Sequence, residues 1–185
     1  EVTPYRLEEK YSDARHPDKM EFAARLEDDL KRRDFTINAL AYDIAKKEVI
    51  DRFEGQKDLK DKRIRAVGDP NARFGEDGLR LMRAVRLAAE LGFDIEPATK
   101  NAITQNASLL RRISKERIRD EFEKLLLSPF PSRGLELARE LGLLQEFLPE
   151  LLEGYGITQN LHHVYTVWEH NLRALDHAAK EEWGL

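Results

Sequence analysis

The amino-acid sequence predicts an α+β fold in which a small mixed sheet is followed by a mainly helical body. Three short β-prone runs bounded by turn residues indicate the sheet: Leu40–Asp43, Val49–Phe53 and Ile64–Val67. From Arg73 onward the apolar residues recur only at helical spacing. A chain of 185 residues with 41% hydrophobic content also has enough apolar side chains for a real core.

The segment before the first of these strands carries few structural signals. Glu1–Asp18 is charged and interrupted by prolines, so we interpret it as an irregular or strand-edge lead-in. A four-residue apolar spacing predicts a helix over about Lys19–Lys31, built on Phe22, Leu26 and Leu30. We interpret the acidic run Glu27–Asp29 as a solvated helix face rather than a metal site, because adjacent residues on a helix point in different directions.

Asp34 is placed to cap a short helical turn over Phe35–Ala39, by accepting hydrogen bonds from free backbone N–H groups. Arg33 would then point toward the same helix N-terminus, which is a natural anion site. The alternative is an ordinary cap beside a solvent-exposed arginine. Lys46–Lys47 separates the first two β-prone runs and predicts a hairpin, and Gly55–Lys60 predicts a helical turn.

Charged side chains recur along Asp69–Glu90, which we predict to be one helix. Side chains three residues apart lie on neighbouring turns, so a polar strip forms from Asp77, Arg80, Arg83 and Arg86. The simplest interpretation is a surface helix whose charges pair, Glu76 with Arg80 and Asp77 with Arg80.

A second interpretation concerns what Asp77 and Arg80 recognise together. A carboxylate accepts hydrogen bonds and a guanidinium only donates them, so the pair complements an edge with an amino donor beside a ring-nitrogen acceptor. Cytosine and adenine present that edge, whereas uracil and guanine present a carbonyl beside an N–H. Under this interpretation the remaining arginines of the strip would be available for phosphates.

Further helices are predicted at Pro97–Ser108, after Ser114, at Pro131–Leu141 and at Leu143–Leu152. Ser114 is a good N-cap, supported by a hydrophobic staple between Ile113 and Ile118. Arg117 and Glu121 lie one turn apart on this helix, where they can form an ion pair.

Three ordered motifs resemble those of the class II tRNA nucleotidyltransferases and bacterial poly(A) polymerases. They occupy Arg32–Ala41, Arg73–Arg86 and Glu116–Leu126. The resemblance covers roughly residues 1–155. It implies the carboxy-terminal part of a nucleotidyltransferase head domain, with its mixed sheet, over 1–68. A helical nucleotide-recognition or neck region would follow over 69–155, and the start of a truncated helical body domain over 156–185.

The resemblance also implies roles for single residues. Arg33 would contact the incoming nucleotide, and Asp34 and Asn38 would order the pocket. Arg117 and Glu121 would brace the nucleotide-binding helix. Asp77 and Arg80 would recognise the base of CTP or ATP. Arg83 and Arg86 would contact its phosphates, and tRNA would be the acceptor. Addition of CCA to tRNA and poly(A) synthesis both remain open, as does a non-catalytic nucleotide- or RNA-binding module.

The catalytic carboxylates of such an enzyme are missing from the sequence. Nucleotidyl transfer of this kind uses an Asp-x-Asp pair that holds two Mg²⁺ ions, and no Asp-x-Asp occurs here. We therefore expect a part of a polymerase that selects nucleotides and is inactive alone. Its Mg²⁺ would be held by residues missing from this chain. The missing amino-terminal segment or a homo-oligomer is a further expected partner.

Histidines at 163, 170 and 177 recur every seven residues and so share a helix face. The segment resembles the opening helix of an HD phosphohydrolase domain, in which His170 would be the first metal ligand. We expect no complete metal site, because the only Asp after Asp120 is Asp176. A packed or surface histidine helix is the favoured interpretation.

Composition limits the remaining possibilities. The chain has a net charge of −4, so any nucleic-acid site must be local. It contains no cysteine, which excludes disulfides and thiolate metal sites and makes an intracellular, cytoplasmic location the expectation. No apolar run approaches the length of a membrane span.

Overall fold

The computed structural model describes residues 25–160 and 164–181 in full, and the backbone of residues 6–11 and 17–22. Its strands are β1 Arg6–Tyr11, β2 Pro17–Phe22, β3 Leu40–Asp43, β4 Glu48–Asp51, β5 Arg63–Ile64 and β6 Asp94–Ile95. Its α-helices are α1 Leu26–Lys31, α2 Gly55–Lys60, α3 Pro70–Glu76, α4 Leu79–Leu91, α5 Pro97–Asn106, α6 Lys115–Leu126, α7 Pro131–Glu140, α8 Leu144–Phe147 and α9 Val167–Lys180. Short 3₁₀ turns lie at Thr36–Asn38, Ala107–Arg112 and Pro149–Gly154. The predicted α+β fold is confirmed.

The described strands form three separate pairs. Strands β1 and β2 are antiparallel, with Arg6 opposite Phe22, and β3 and β4 form the predicted hairpin, with Leu40 opposite Asp51. Strands β5 and β6 are parallel. Helices α1 and α2 lie between these strands along the chain, and β6 follows α4 and returns to pair with β5.

The predicted helix over Lys19–Lys31 is wrong in its first half. Residues up to Phe22 belong to strand β2, and the helix begins only at Leu26. A four-residue spacing equals one helical turn but also two strand repeats, so Phe22 could not distinguish the two structures.

The predicted single helix over Asp69–Glu90 is also wrong, because it is broken at Asp77–Gly78. Asp77 has an extended backbone, with φ −147° and ψ 107°, and ends α3. Its Oδ1 accepts a hydrogen bond of 3.0 Å from the N–H of Leu79, which starts α4. A short polar side chain that bonds to nearby backbone competes with helix continuation, and here it separates Asp77 from the arginines that follow.

Helix α4 is the centre of the core. Most of its side chains are buried, and they pack against α6 and α7. Close packing depends on Gly134 in α7, where an added Cβ would lie 2.9 Å from Cβ of Ala89 and 3.0 Å from Leu125. The arginines of α4 are therefore carried on the most firmly packed helix of the described chain.

Later helices follow the predictions except at Leu143–Leu152, which is divided into α8 and the 3₁₀ turn from Pro149. Helix α6 begins directly after Ser114, although the serine side chain makes no capping hydrogen bond. Helix α9 begins at Val167 with a capping box between Thr166 and Glu169. It is joined to α7 by the buried Trp168, whose Nε1 donates to Glu136 at 2.8 Å. Of the helices in the described ranges, none combines the length and apolar character that a membrane span requires.

Candidate nucleotide-binding site

The first two sequence motifs meet through Asp34 and Arg83. Nε and Nη2 of Arg83 lie 2.7 and 2.6 Å from Oδ2 of the buried Asp34. Oδ1 of Asp34 accepts from the N–H of Phe35 at 2.8 Å and from Nδ2 of Asn38 at 3.1 Å. Asp34 thus holds α4 against the loop that precedes β3.

The pKa of Asp34 reflects these partners. Burial alone would raise it, but the charge of Arg83 and the hydrogen bonds from Asn38, Arg83 and Phe35 outweigh burial and hold the pKa below its ordinary value. Asp34 is therefore ionised at neutral pH. The predicted cap is wrong in detail, because the N-cap position of the 3₁₀ turn belongs to Phe35 and Asp34 bonds instead to Phe35 itself.

The third motif joins the network through Glu121. Its Oε2 accepts from Nε of Arg86 at 2.6 Å, and its Oε1 lies 3.8 Å from Nη1 of Arg83. Nη1 of Arg86 also donates to Glu90. One buried carboxylate on α6 therefore faces two arginines on successive turns of α4.

Arg117 does not pair with Glu121, contrary to the ion pair that their spacing allowed. Its Nη2 donates to Oδ2 of Asp77 at 2.7 Å. Both residues of α6 reach across to the neighbouring segment, because their side chains project toward α4 and its N-terminal loop. This is the geometry that a brace would have.

Arg80 and Asp77 are not paired with each other either. Nη1 of Arg80 donates to Glu76 at 2.6 Å and to the carbonyl of Arg73 at 3.0 Å. Nη2 donates to the carbonyl of Arg32 at 3.1 Å, and the residue is only 8% exposed. The predicted continuous strip is thus divided, since Arg80 ties α4 to α3 and to the first motif while Asp77 faces α6.

Arg33 is the most exposed of the predicted nucleotide-binding arginines, with 46% of its side chain accessible. Its Nη2 donates to Asp29 at 3.0 Å, and Nε of Arg32 donates to the same carboxylate at 3.0 Å. Asp29 is 5% exposed, so the prediction of a solvated face fails for it. The hydrogen bonds from Arg32 and Arg33 overcome the effect of burial and lower the pKa of Asp29.

Asp29 is the site residue that sequence reasoning missed. Its side chain, together with Arg33, lines a cavity of about 580 Å³ between α1 and the β3–β4 hairpin. The available signal was its spacing: an acid three and four residues before two arginines can pair with both on one helical face.

The carboxy-terminal histidines form no metal centre in the described ranges. Across these ranges no group of three or more His, Cys, Asp or Glu side chains could hold an ion. His170 is an exposed residue of α9, and His163 lies outside the described residues. Asp176 accepts instead from the N–H and the hydroxyl of Ser132, the latter at 2.8 Å.

Two family models match the chain. Residues 1–65 match "Poly A polymerase head domain", and residues 92–154 match "Probable RNA and SrmB- binding site of polymerase A". The CCA-adding enzyme of Leuconostoc citreum is 52% identical over 149 residues, which are 80% of this chain and 36% of that protein. That of a Geobacillus species is 45% identical over 185 residues, covering 100% of this chain and 44% of that protein.

Solved structures agree with the sequence relatives. The Bacillus stearothermophilus CCA-adding enzyme in complex with CTP is 47% identical, with a TM-score of 0.69 over 77% of this chain and 33% of that one. A tRNA nucleotidyltransferase complexed with a primer tRNA and an incoming ATP analog is 32% identical, with a TM-score of 0.66 over 86% of this chain and 44% of that one. The chain spans less than half the length of each of these four relatives. By its motifs, family matches and structure, it belongs to the family of CCA-adding enzymes and poly(A) polymerases.

Proposed function

We propose that the chain is the nucleotide-selecting part of a template-independent tRNA nucleotidyltransferase that adds C, A or both to tRNA 3′ ends. The observation that carries the proposal is the 47% identity, over 77% of this chain, to a CCA-adding enzyme whose structure was solved in complex with CTP. The Asp34–Arg83–Glu121 network, which joins the three motifs, supports it. The reaction would be attack of a tRNA 3′-hydroxyl on the α-phosphate of CTP or ATP, with pyrophosphate as leaving group. Such a role in tRNA processing supports a cytoplasmic location.

Asp77 and Arg80 would read the base separately rather than as a pair. Each oxygen of Asp77 makes one hydrogen bond, and a carboxylate oxygen has two lone pairs, so an exocyclic amino group can still be accepted. Arg80 has five N–H donors, of which the contacts to Glu76, Arg73 and Arg32 use three. The carboxylate of Asp77 and the guanidinium of Arg80 would therefore stabilise the fold and also bind the base.

Arg33 would contact the phosphates, since it is half-exposed and its carboxylate partner Asp29 fixes its position. Arg83 and Arg86 would add positive charge beside it on the same side of the site. Their carboxylate partners Asp34 and Glu121 leave them less free to move toward a ligand. Asn38 and Arg117 would support the pocket through Asp34 and Asp77.

The two Mg²⁺ ions of the reaction do not fit the residues described here, because they offer no carboxylate cluster of the required kind. In this proposal the ions are held by an Asp-x-Asp pair that is not in this chain. When bound, they would supply charge compensation to the reacting phosphates.

Poly(A) synthesis is the second candidate, because both matching family models are named for poly(A) polymerase. A non-catalytic nucleotide- or RNA-binding module is the third. The three differ in what they incorporate: CTP and ATP into tRNA lacking its 3′ end, ATP alone into many RNAs, or nothing even with an added catalytic segment.

The test has two parts. The pure chain with Mg²⁺ should incorporate no labelled CTP or ATP into tRNA lacking its 3′ end, yet should bind both nucleotides in calorimetric titrations. Turnover by the pure chain would contradict the missing-carboxylate argument. A failure to bind CTP and ATP more tightly than UTP and GTP would contradict the assignment of the nucleotide site.

A further inference from the structure

A second cavity lies on the other side of α6 from the nucleotide site. It has a volume of about 600 Å³ and is enclosed by α6, α8 and the turns beside them; we name it the aromatic pocket. Its apolar walls include Ile113, Ile118, Phe122, Phe147 and Leu148. This volume is within the range of ordinary ligand sites, roughly 300–1,000 Å³.

Two phenylalanines give the pocket its character. The rings of Phe122 and Phe147 meet edge to face, with centroids 5.3 Å apart and an interplanar angle of 71°. Both side chains are only partly buried, so they present aromatic surface to the cavity. Aromatic side chains of this kind are the usual platforms on which unpaired bases stack.

The aromatic pocket is separate from the nucleotide site because different faces of α6 line them. Arg117 and Glu121 point to α4, whereas Ile118, Arg119 and Phe122 line the pocket. A change at the rim of the pocket therefore need not alter the ion pairs around Asp77.

Positive charge surrounds the apolar walls. Arg111, Lys115 and Arg119 line the rim, and Glu146 is the acid that lines it with them. Glu146 bonds to Arg111 at 2.5 Å, and Arg119 bonds at 2.9 Å to Asp120, an exposed neighbour on the same helix. The side chains of Arg111 and Arg119 are 69% and 71% exposed, so both remain accessible to a large anion.

We propose that the aromatic pocket binds one unpaired nucleobase of an RNA strand, with the adjacent phosphates held by Lys115, Arg119 and Arg111. An aromatic floor within a cationic rim matches the two parts of a nucleotide, a flat apolar ring beside an anion. The matched family region, residues 92–154, contains every residue of the pocket and carries a description that includes RNA binding. The inference rests on the proposed function, because it takes RNA as the substrate class and adds where a second part of that RNA is held.

The first experiment separates base binding from phosphate attraction. Fluorescence anisotropy is measured for the full chain with a labelled single-stranded RNA and with the same strand carrying abasic sites. Stacking of one base in the pocket predicts about ten-fold weaker binding of the abasic strand. Phe147→Leu, which keeps an apolar side chain but removes an aromatic ring, should reduce that difference. Equal affinity for the two strands would overturn the proposal.

The second experiment uses charge reversal on the surface. Lys115→Glu combined with Arg119→Glu should weaken RNA binding and lower the slope of log affinity against log salt by about one or two. Lys57→Glu combined with Lys60→Glu in α2 is the matched control, since it reverses two exposed lysines remote from the pocket and should leave most of the affinity. These exposed substitutions keep the test valid if the phenylalanine variant does not fold. An effect no larger than that of the control would also overturn the proposal.

Titration with CTP distinguishes a failure here from a failure of the proposed function. The rim variants should bind CTP as the unchanged chain does, because their substitutions lie away from Asp77 and Arg33. If the unchanged chain binds CTP but does not distinguish the intact RNA from the abasic strand, only the aromatic pocket is contradicted. Absence of CTP binding in the unchanged chain would contradict the nucleotide site. If Phe147→Leu weakens binding of an acidic amphipathic peptide but leaves the difference between the two RNA strands unchanged, the pocket belongs to a protein partner and the proposal is overturned.

Discussion

Neutralising Glu121 should destabilise the chain through Arg86. The two side chains are 6% and 13% exposed, and they are joined by a 2.6 Å hydrogen bond. Removing one partner of a buried ion pair typically costs roughly 3–5 kcal/mol, because it leaves an uncompensated buried charge. Arg86 keeps its contact with Glu90, whose side chain is about half exposed, so we expect about 3 kcal/mol for Glu121→Gln.

The free energy of unfolding can be measured by urea denaturation followed by far-UV circular dichroism. Glu123→Gln is the matched control, because Glu123 is an exposed glutamate on the same helix and should change stability by no more than ~0.5 kcal/mol. Replacing both partners, as Glu121→Met with Arg86→Met, should recover much of the loss, since an apolar pair of similar volume leaves no buried charge. If Glu121→Gln proves no more costly than Glu123→Gln, the buried network does not hold α6 against α4.

Three other predictions concern acid stability, selectivity and the attachment of α9. Because the pKa of Asp34 is lowered on folding, its contribution to the free energy of unfolding is fully present above the unfolded pKa of 3.8 and is lost as pH falls through the folded pKa. Asp34→Asn should therefore reduce the loss of stability at acid pH in pH-dependent denaturation. Asp61→Asn, at an exposed position, should not. Asp77→Ala should reduce the preference for CTP and ATP over UTP and GTP by about 1–3 kcal/mol in calorimetric titrations, and an unchanged preference would place base recognition elsewhere. Trp168→Phe removes the hydrogen bond to Glu136 and should lower the free energy of unfolding by about 1 kcal/mol, with amide exchange accelerated more in α9 than in α4. Equal exchange rates of α9 in the variant and the unchanged chain would show that the indole hydrogen bond does not hold α9.

The sequence was sufficient where local chemistry decides structure. The β3–β4 hairpin, the bounds of α2 and the start of α6 after Ser114 were all predicted from local residue patterns, although Ser114 makes no capping hydrogen bond. The break at Asp77–Gly78 escaped prediction, because apolar and charged spacing is continuous across it and only the backbone of Asp77 interrupts the helix.

Partner choice within the site could not be predicted from spacing. Asp77 is three residues from Arg80 but bonds to Arg117, which is forty residues away. Asp29 follows two other acids in α1, Glu27 and Asp28. Only tertiary packing determines which of the three carboxylates is buried. Local spacing defines which pairs are possible, and burial selects among them.

Gly134 sets how closely α7 packs against α4. Helix α7 lies in contact with the arginine-bearing helix α4 on one side, and on the other it bonds to α9 through Glu136 and Ser132. A methyl group at position 134 would require α7 to withdraw from Ala89 and Leu125, and the bonded α9 would move with it. The absence of a side chain at position 134 therefore helps to set the distance between the arginines of α4, which are proposed to bind a nucleotide, and helix α9.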